Sequence, residues 1–191
     1  MRDFLPRLEG ALEIADVACL LIAAPIQADN DAVAEIARPL IRVAQMRDVA
    51  ALVPDRATLA KNLGADGVQV DLRSLSTAEA VRAYRNARKE LAGDAIVGAF
   101  CPPERHLAME VAEAGADYVG FDLATSDAVE VIAWWGEMMT VPCVAFGRMD
   151  STRAGALARS GADFVAPEPE LWSGVDPAGD LAALQAAIRT G

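Results

Sequence analysis

Few side chains in this chain are of a type that does chemistry, and they are scattered. The one histidine, His106, follows Glu104 and Arg105 inside a helical pattern. No Ser or Cys stands at a spacing that would make it part of a triad, so it reads as a surface residue. The three cysteines, Cys19, Cys101 and Cys143, lie too far apart to form a metal-ligand pair. Cys19 and Cys143 sit in apolar runs and read as small buried residues. Cys101 follows a strand pattern. A reactive thiol is one reading of it, but nothing basic adjoins it, and a plain small residue is favoured. Arg148 follows Gly147 at the end of another apolar run. It offers either an anion ligand or a partner for Glu168, which ends the next run. Pairing is favoured, because isolated charges near a rim seek partners. Trp134 and Trp135 share a helical stretch with Met138 and Met139, a cluster suited to core or subunit contact.

The elements that must position these residues announce themselves by repetition. The chain reads GADGV at 64–68, GADYV at 115–119 and GADFV at 161–165. Each copy follows a stretch with apolar residues three and four apart, as on one helix face. Gly64, Gly115 and Gly161 fall where a helix ends and a left-handed residue is needed. The Asp then opens a short apolar run that reads as a buried strand. Further strands are expected at 16–24, 49–53, 95–100 and 141–147. Further helices are expected at 4–15, 29–47, 76–93, 103–114, 127–139 and 176–191. Strict alternation means a parallel α/β sheet. No Gly-rich loop follows the first strand, so a (β/α) TIM-type barrel is preferred to an open doubly wound sheet. The barrel would form one domain over 1–191. It would lack its first strand, because a helix pattern opens the chain.

Composition narrows the partners. The chain has 191 residues, 53% of them hydrophobic, and a net charge of −11. Such a field repels nucleic-acid backbones, and it disfavours a free polyanion unless a local cation offsets it. No apolar run is long enough for a membrane span. The absence of a secretion-like start and the odd cysteine count suit the cytoplasm. A barrel short of one strand leaves two unpaired edges. The helix at 4–15 or a second subunit would cover them, and a homodimer is expected.

The stretches IVGAFCPPERHLAMEVAEAGADYVGFD (96–122) and WWGEMMTVPCVAFGRM (134–149) resemble the thiamine phosphate synthase family, and the likeness runs from about Arg7 to about Trp172. The resemblance implies an eight-stranded (β/α) barrel that joins a pyrimidine pyrophosphate to a thiazole phosphate and releases pyrophosphate with the help of Mg²⁺. It also implies site residues. Asp55 matches a metal ligand and Arg56 a basic residue of the substrate site. Asp71 stands near the family's second metal Asp, whose own position is Ser74. Gly147 and Arg148 stand where a Gly-Gly pair would approach phosphate.

The match is weak at the site. LIAAPIQ lacks the family's basic residues, Phe100 follows the strand where a Ser or Thr belongs, and DLATSD carries no Lys. APEPELW brings two prolines and two glutamates to what should be a phosphate cradle, removing donors and adding repulsion. Asp55 and Arg56 have a plainer reading too, as the N-cap and first-turn residue of the next helix. The resulting expectation is a divergent barrel without synthase activity. It would hold no cofactor, or Mg²⁺ only weakly, and bind a small molecule at its mouth or a partner. The alternative is an active thiamine phosphate synthase.

Overall fold

The computed structural model describes every residue except 1–3, 24–26, 92, 126 and 191. Seven strands run in order: β1 (Cys19–Leu21), β2 (Ala50–Pro54), β3 (Gly67–Asp71), β4 (Ile96–Cys101), β5 (Tyr118–Asp122), β6 (Cys143–Gly147) and β7 (Phe164–Pro167). Each pairs in parallel with the next, giving one sheet in sequence order. The helices between them are α1 (Phe4–Ile14), α2 (Asn30–Gln45), α3 (Ala57–Leu63), α4 (Thr77–Glu90), α5 (Arg105–Glu113), α6 (Ala128–Met138), α7 (Ser151–Arg159) and α8 (Pro177–Arg189). A short 3₁₀ helix, Pro169–Ser173, follows β7. The expected parallel barrel is therefore present. The first strand is shorter than the apolar run at 16–24. Residues 24–26 lie outside the described residues.

Among the described residues no strand precedes α1, and β1 and β7 do not pair with each other. The helix layer closes where the sheet does not. α1 packs against α8 on one side and α2 on the other. Phe4 meets Trp172 with ring centroids 5.2 Å apart. Arg7 donates to the carbonyl of Gly174, and the Asp16 amide donates to Gln185 at 3.1 Å. Of the two covers expected for the gap, the chain's own helix supplies one.

The three Gly-Ala-Asp copies do one job. Gly64, Gly115 and Gly161 take φ of 68°, 99° and 104°, the left-handed conformation that ends a helix. The following Asp then locks onto one residue of the preceding strand. Its amide donates to that residue's carbonyl, and its carboxylate accepts that residue's N–H. Asp66 holds Ala51 this way (2.9 and 2.8 Å), Asp117 holds Val97 (3.2 and 2.7 Å) and Asp163 holds Cys143 (3.1 and 2.8 Å). The clamps join β2 to β3, β4 to β5 and β6 to β7 at the end where the strands enter the sheet. They satisfy amides that the ladder leaves open.

Side chains alternate across each strand. Val68, Val70, Val97, Ala99, Val119 and Phe121 face the helices in one large apolar body reaching from β3 to α7. A smaller body gathers Leu8 from α1, Ile22 just past β1, Leu40 and Ile41 from α2 and Ala51 from β2. The alternate residues line the inside of the curl. There the Tyr118 hydroxyl donates to Gln69 at 2.8 Å, and the rings of Phe100 and Phe146 stack at 4.8 Å.

Candidate active site at the barrel mouth

In a parallel barrel the carboxyl ends of the strands carry the chemistry. Here those ends bring together Asp55, Asp71, Arg73 and Asp122. Asp55 follows β2 with φ of 54°, a conformation that Asp tolerates better than most residues. Its amide donates to the carbonyl of Gln69 at 2.9 Å, and its Oδ1 accepts the Asp71 amide at 2.7 Å. Asp55 thus extends the β2–β3 pairing with a side chain. It does not cap α3, whose N-cap is Arg56 with no side-chain capping bond, so the plain N-cap reading of Asp55 is wrong.

Asp71 ends β3, and Arg73 folds back onto it. The Arg73 Nε and Nη2 donate to the two carboxylate oxygens at 3.0 and 2.8 Å, while Nη1 donates to Asp122 Oδ2 at 2.6 Å. Asp122 ends β5 and is steadied by the Ala124 amide at 2.9 Å. The guanidinium carbon lies 4.1 Å from the centroid of the Phe100 ring. Desolvation pushes the Asp71 carboxyl up, but the hydrogen bonds and charge of Arg73 outweigh it and hold the group below the usual carboxylate range. Its bonds to Asp71 raise Arg73 in turn. Asp55 goes the other way: burial, then the Asp71 charge, raise it above the usual range, against the lowering bond from the Asp71 amide.

That opposition predicts a gain from neutralising Asp55. A raised folded pKa means ionisation costs stability once pH rises through it; below the unfolded value near 3.9 both states are protonated and the cost vanishes. Asn tolerates positive φ and keeps the acceptor for the Asp71 amide. Asp55→Asn should therefore melt higher than the parent at pH 7, with the gain shrinking toward pH 4. Solvent screening at this exposed group limits the effect to about 0.2–1 kcal/mol. Thermal melts at both pH values check it, and a lower melting point at pH 7 contradicts it.

The other expected residues lie apart. The Arg56 guanidinium donates to Asn30 Oδ1 and the Ala28 carbonyl, both at 2.9 Å, tying the chain before α2 to the end of β2. A groove of about 540 Å³ between α3 and α4 opens beside Asp55, Arg56 and Asp71. Gly147 ends β6 with φ of 151°, and a Cβ there would lie 3.0 Å from Leu123. Arg148 is exposed, and the expected pair with Glu168 does not form. The two chains diverge past the paired Gly147 and Pro167, one into α7 and the other into the 3₁₀ helix. Arg153, unremarked in the sequence, fastens this region by donating to the carbonyls of Arg148 at 3.1 Å and Leu123 at 3.2 Å.

The carboxylates do not fit a ready Mg²⁺ site. Both Asp71 oxygens are held by Arg73, and one Asp55 oxygen is held by the Asp71 amide. Among the described residues no three His, Cys, Asp or Glu side chains group closely enough to hold a metal ion. Mg²⁺ wants open carboxylate oxygens in near-octahedral array.

The family model described as thiamine monophosphate synthase matches residues 1–167. This chain belongs to the thiamine monophosphate synthase family. It is 42% identical to a protein named thiamine-phosphate synthase from Rhodospirillum centenum, over 95% of this chain and 87% of that protein. A second of that name, from Erythrobacter litoralis, is 37% identical over 90% and 83%. The fold superposes on thiamine phosphate pyrophosphorylase from Pyrococcus furiosus with a TM-score of 0.81, at 22% identity, covering 100% of this chain and 93% of that one. These relatives overturn the expectation of a barrel without synthase activity. The family's familiar ligands are displaced in sequence, yet a guanidinium and three carboxylates still converge at the mouth. No described helix is long and apolar enough to cross a membrane.

Proposed function

We propose that this chain is a thiamine-phosphate synthase, joining a pyrimidine pyrophosphate to a thiazole phosphate and releasing pyrophosphate. The observation that carries the reading is the 42% identity, across nearly the whole chain, to a protein of that name. The geometry is consistent with the reaction's charge changes. As the methylene–oxygen bond of the pyrimidine substrate breaks, positive charge grows on carbon and negative charge on the leaving pyrophosphate. The carboxylates of Asp55, Asp71 and Asp122 at the mouth would offset the first once Arg73 leaves the latter two; preorganised charge of this kind is often the largest single contribution to catalysis. Arg148, exposed at the end of β6, is positioned to offset the second, which a net charge of −11 would otherwise repel. The same reading puts the enzyme in the cytosol, where free cysteines suit a reducing medium. It keeps a homodimer as the expected assembly, since β1 and β7 leave unpaired edges.

The test is direct. Purified protein given both precursors and Mg²⁺ should form thiamine phosphate at about 1 per second or faster, within the ordinary enzyme range. Arg148→Ala should lower the rate about 100-fold, as for loss of one charge-stabilising group. A folded protein with no product above background sinks the reading.

A further inference from the structure

Arg73 sits in its own protein as a ligand would. Its edge is gripped by Asp71 at 3.0 and 2.8 Å and by Asp122 at 2.6 Å, and its face lies on Phe100 at 4.1 Å. The carboxylates stand at the ends of β3 and β5, whereas Arg73 comes from the turn after β3. The aromatic floor is built to stay put. Phe146 backs Phe100 at 4.8 Å, and Gly120 leaves room for both rings, since a Cβ there would lie 2.5 Å from Phe146. Take the guanidinium away and two carboxylates remain beside an aromatic face, Asp122 still held by the Ala124 amide at 2.9 Å and Asp71 by the Arg73 amide at 3.1 Å. That arrangement favours a planar organic cation. It gives little to a hydrated metal ion, which gains nothing from a ring face and needs more oxygen ligands than are grouped here.

The inference rests on the synthase reading. In that reaction the thiazole nitrogen uses its lone pair to bond the pyrimidine's methylene carbon. The carbon–oxygen bond to pyrophosphate breaks, and its electron pair leaves with the pyrophosphate. The thiazole ring thereby becomes a planar, positively charged thiazolium. We propose that Arg73 is an internal stand-in for this cation: the cage of Asp71, Asp122 and Phe100 receives the thiazolium ring, and Arg73 swings out when it does. The displaced guanidinium is then a free cation beside the departing phosphates. While Arg73 is seated, the cage is open only in the fraction of molecules where it has left, and apparent affinity falls by that fraction.

Thiamine, which carries the thiazolium without phosphate, is the probe. In ¹⁵N NMR of the full chain, the Nε–H signal of Arg73, assigned with Arg73→Lys, should leave its hydrogen-bonded position as thiamine saturates. By calorimetry Arg73→Met should bind thiamine about 10-fold tighter than the parent, and adding Phe100→Leu should remove that gain. An Arg73 signal unmoved at saturation overturns the proposal, as does an Arg73→Met protein that binds no tighter, or a parent chain that does not bind thiamine. The NMR arm needs no folded Arg73→Met variant. Turnover with an unmoved Arg73 sinks the cage and leaves the synthase reading standing; displacement of Arg73 in a chain that forms no product does the reverse.

Discussion

Gly67→Ala should yield little or no folded protein. Gly67 opens β3 and pairs with Leu52 on one side and Ile96 on the other. A Cβ at this position would lie 1.8 Å from the Ile96 carbonyl oxygen and 2.6 Å from its carbon. These are backbone atoms of the neighbouring strand, so no side-chain rotation relieves the clash. The β3–β4 pairing must part, and with it the support of Asp71 and Phe100. Ordinary overpacking costs about 1–3 kcal/mol. Breaking a central strand pair exceeds that, against a total stability of about 5–15 kcal/mol for a typical domain. Gly64, three residues earlier, is the internal control. A Cβ there meets nothing within 4 Å, but φ is 68°, so Gly64→Ala should cost only about 1–2 kcal/mol. Soluble yield and urea melts separate the two, and a Gly67→Ala protein with an unchanged midpoint would show that the strands tolerate the clash.

Asp117→Ala should be the costliest of the three clamp deletions. All three carboxylates accept one strand amide. Asp117 also takes the guanidinium of Arg88, which donates to the Ala95 carbonyl at 2.6 Å and touches the Tyr84 hydroxyl at 3.3 Å. Tyr84 is fully buried, and its hydroxyl donates to the Gly115 carbonyl at 2.6 Å. Removing Asp117 strands the buried Val97 amide and leaves Arg88 without its counter-charge. Buried unsatisfied groups cost about 1–3 kcal/mol each, so about 2–4 kcal/mol is expected even with solvent screening of the ion pair. Asp66→Ala loses the Ala51 amide and a neutral bond from Gln45 at 3.1 Å, and Asp163→Ala loses the Cys143 amide and leaves no cation behind. Both should cost less. Urea unfolding of the three proteins ranks them, and an Asp117→Ala midpoint at or above the other two would refute the role given to Arg88.

The parallel strands and their helices were legible because Gly-Ala-Asp punctuates the chain and each Gly needs a backbone that other residues resist. The duty of the Asp was not legible, since a clamp onto Val97 appears only once β4 lies beside β5. The mouth was harder still. Arg73 and Asp122 stand 49 residues apart, one just past β3 and the other at the end of β5 with β4 between them, and a search along the sequence for familiar ligands passes over both. Arg73 stands in plain view beside Asp71, and its position just past a strand end was the available signal. The same search counted the family's missing ligands as lost charge, which led to the mistaken expectation of an inactive barrel. The Arg148–Glu168 pair failed for a local reason: neighbouring strand ends need not send their next residues the same way.

The apolar side chains divide into a large body from β3 to α7, a smaller one around α1, α2, β1 and β2, and a group of Val33, Val53 and Ala60 that links α2, β2 and α3, and the division has a dynamic consequence. Local opening is easiest where few buried apolar contacts hold a segment, so the side built on α1, α2, β1 and β2 is expected to open before the large body. The boundary runs between β2 and β3. Asp55 rides on the small unit, while Asp71, Arg73, Asp122 and the aromatic floor ride on the large one. A partial opening along this line would slip the Asp55 carboxylate off the Asp71 amide and widen the mouth on one side. The Arg73 latch and its ring floor would be untouched. On the proposed synthase function, substrate entry would then be coupled to opening of this more thinly packed side of the fold.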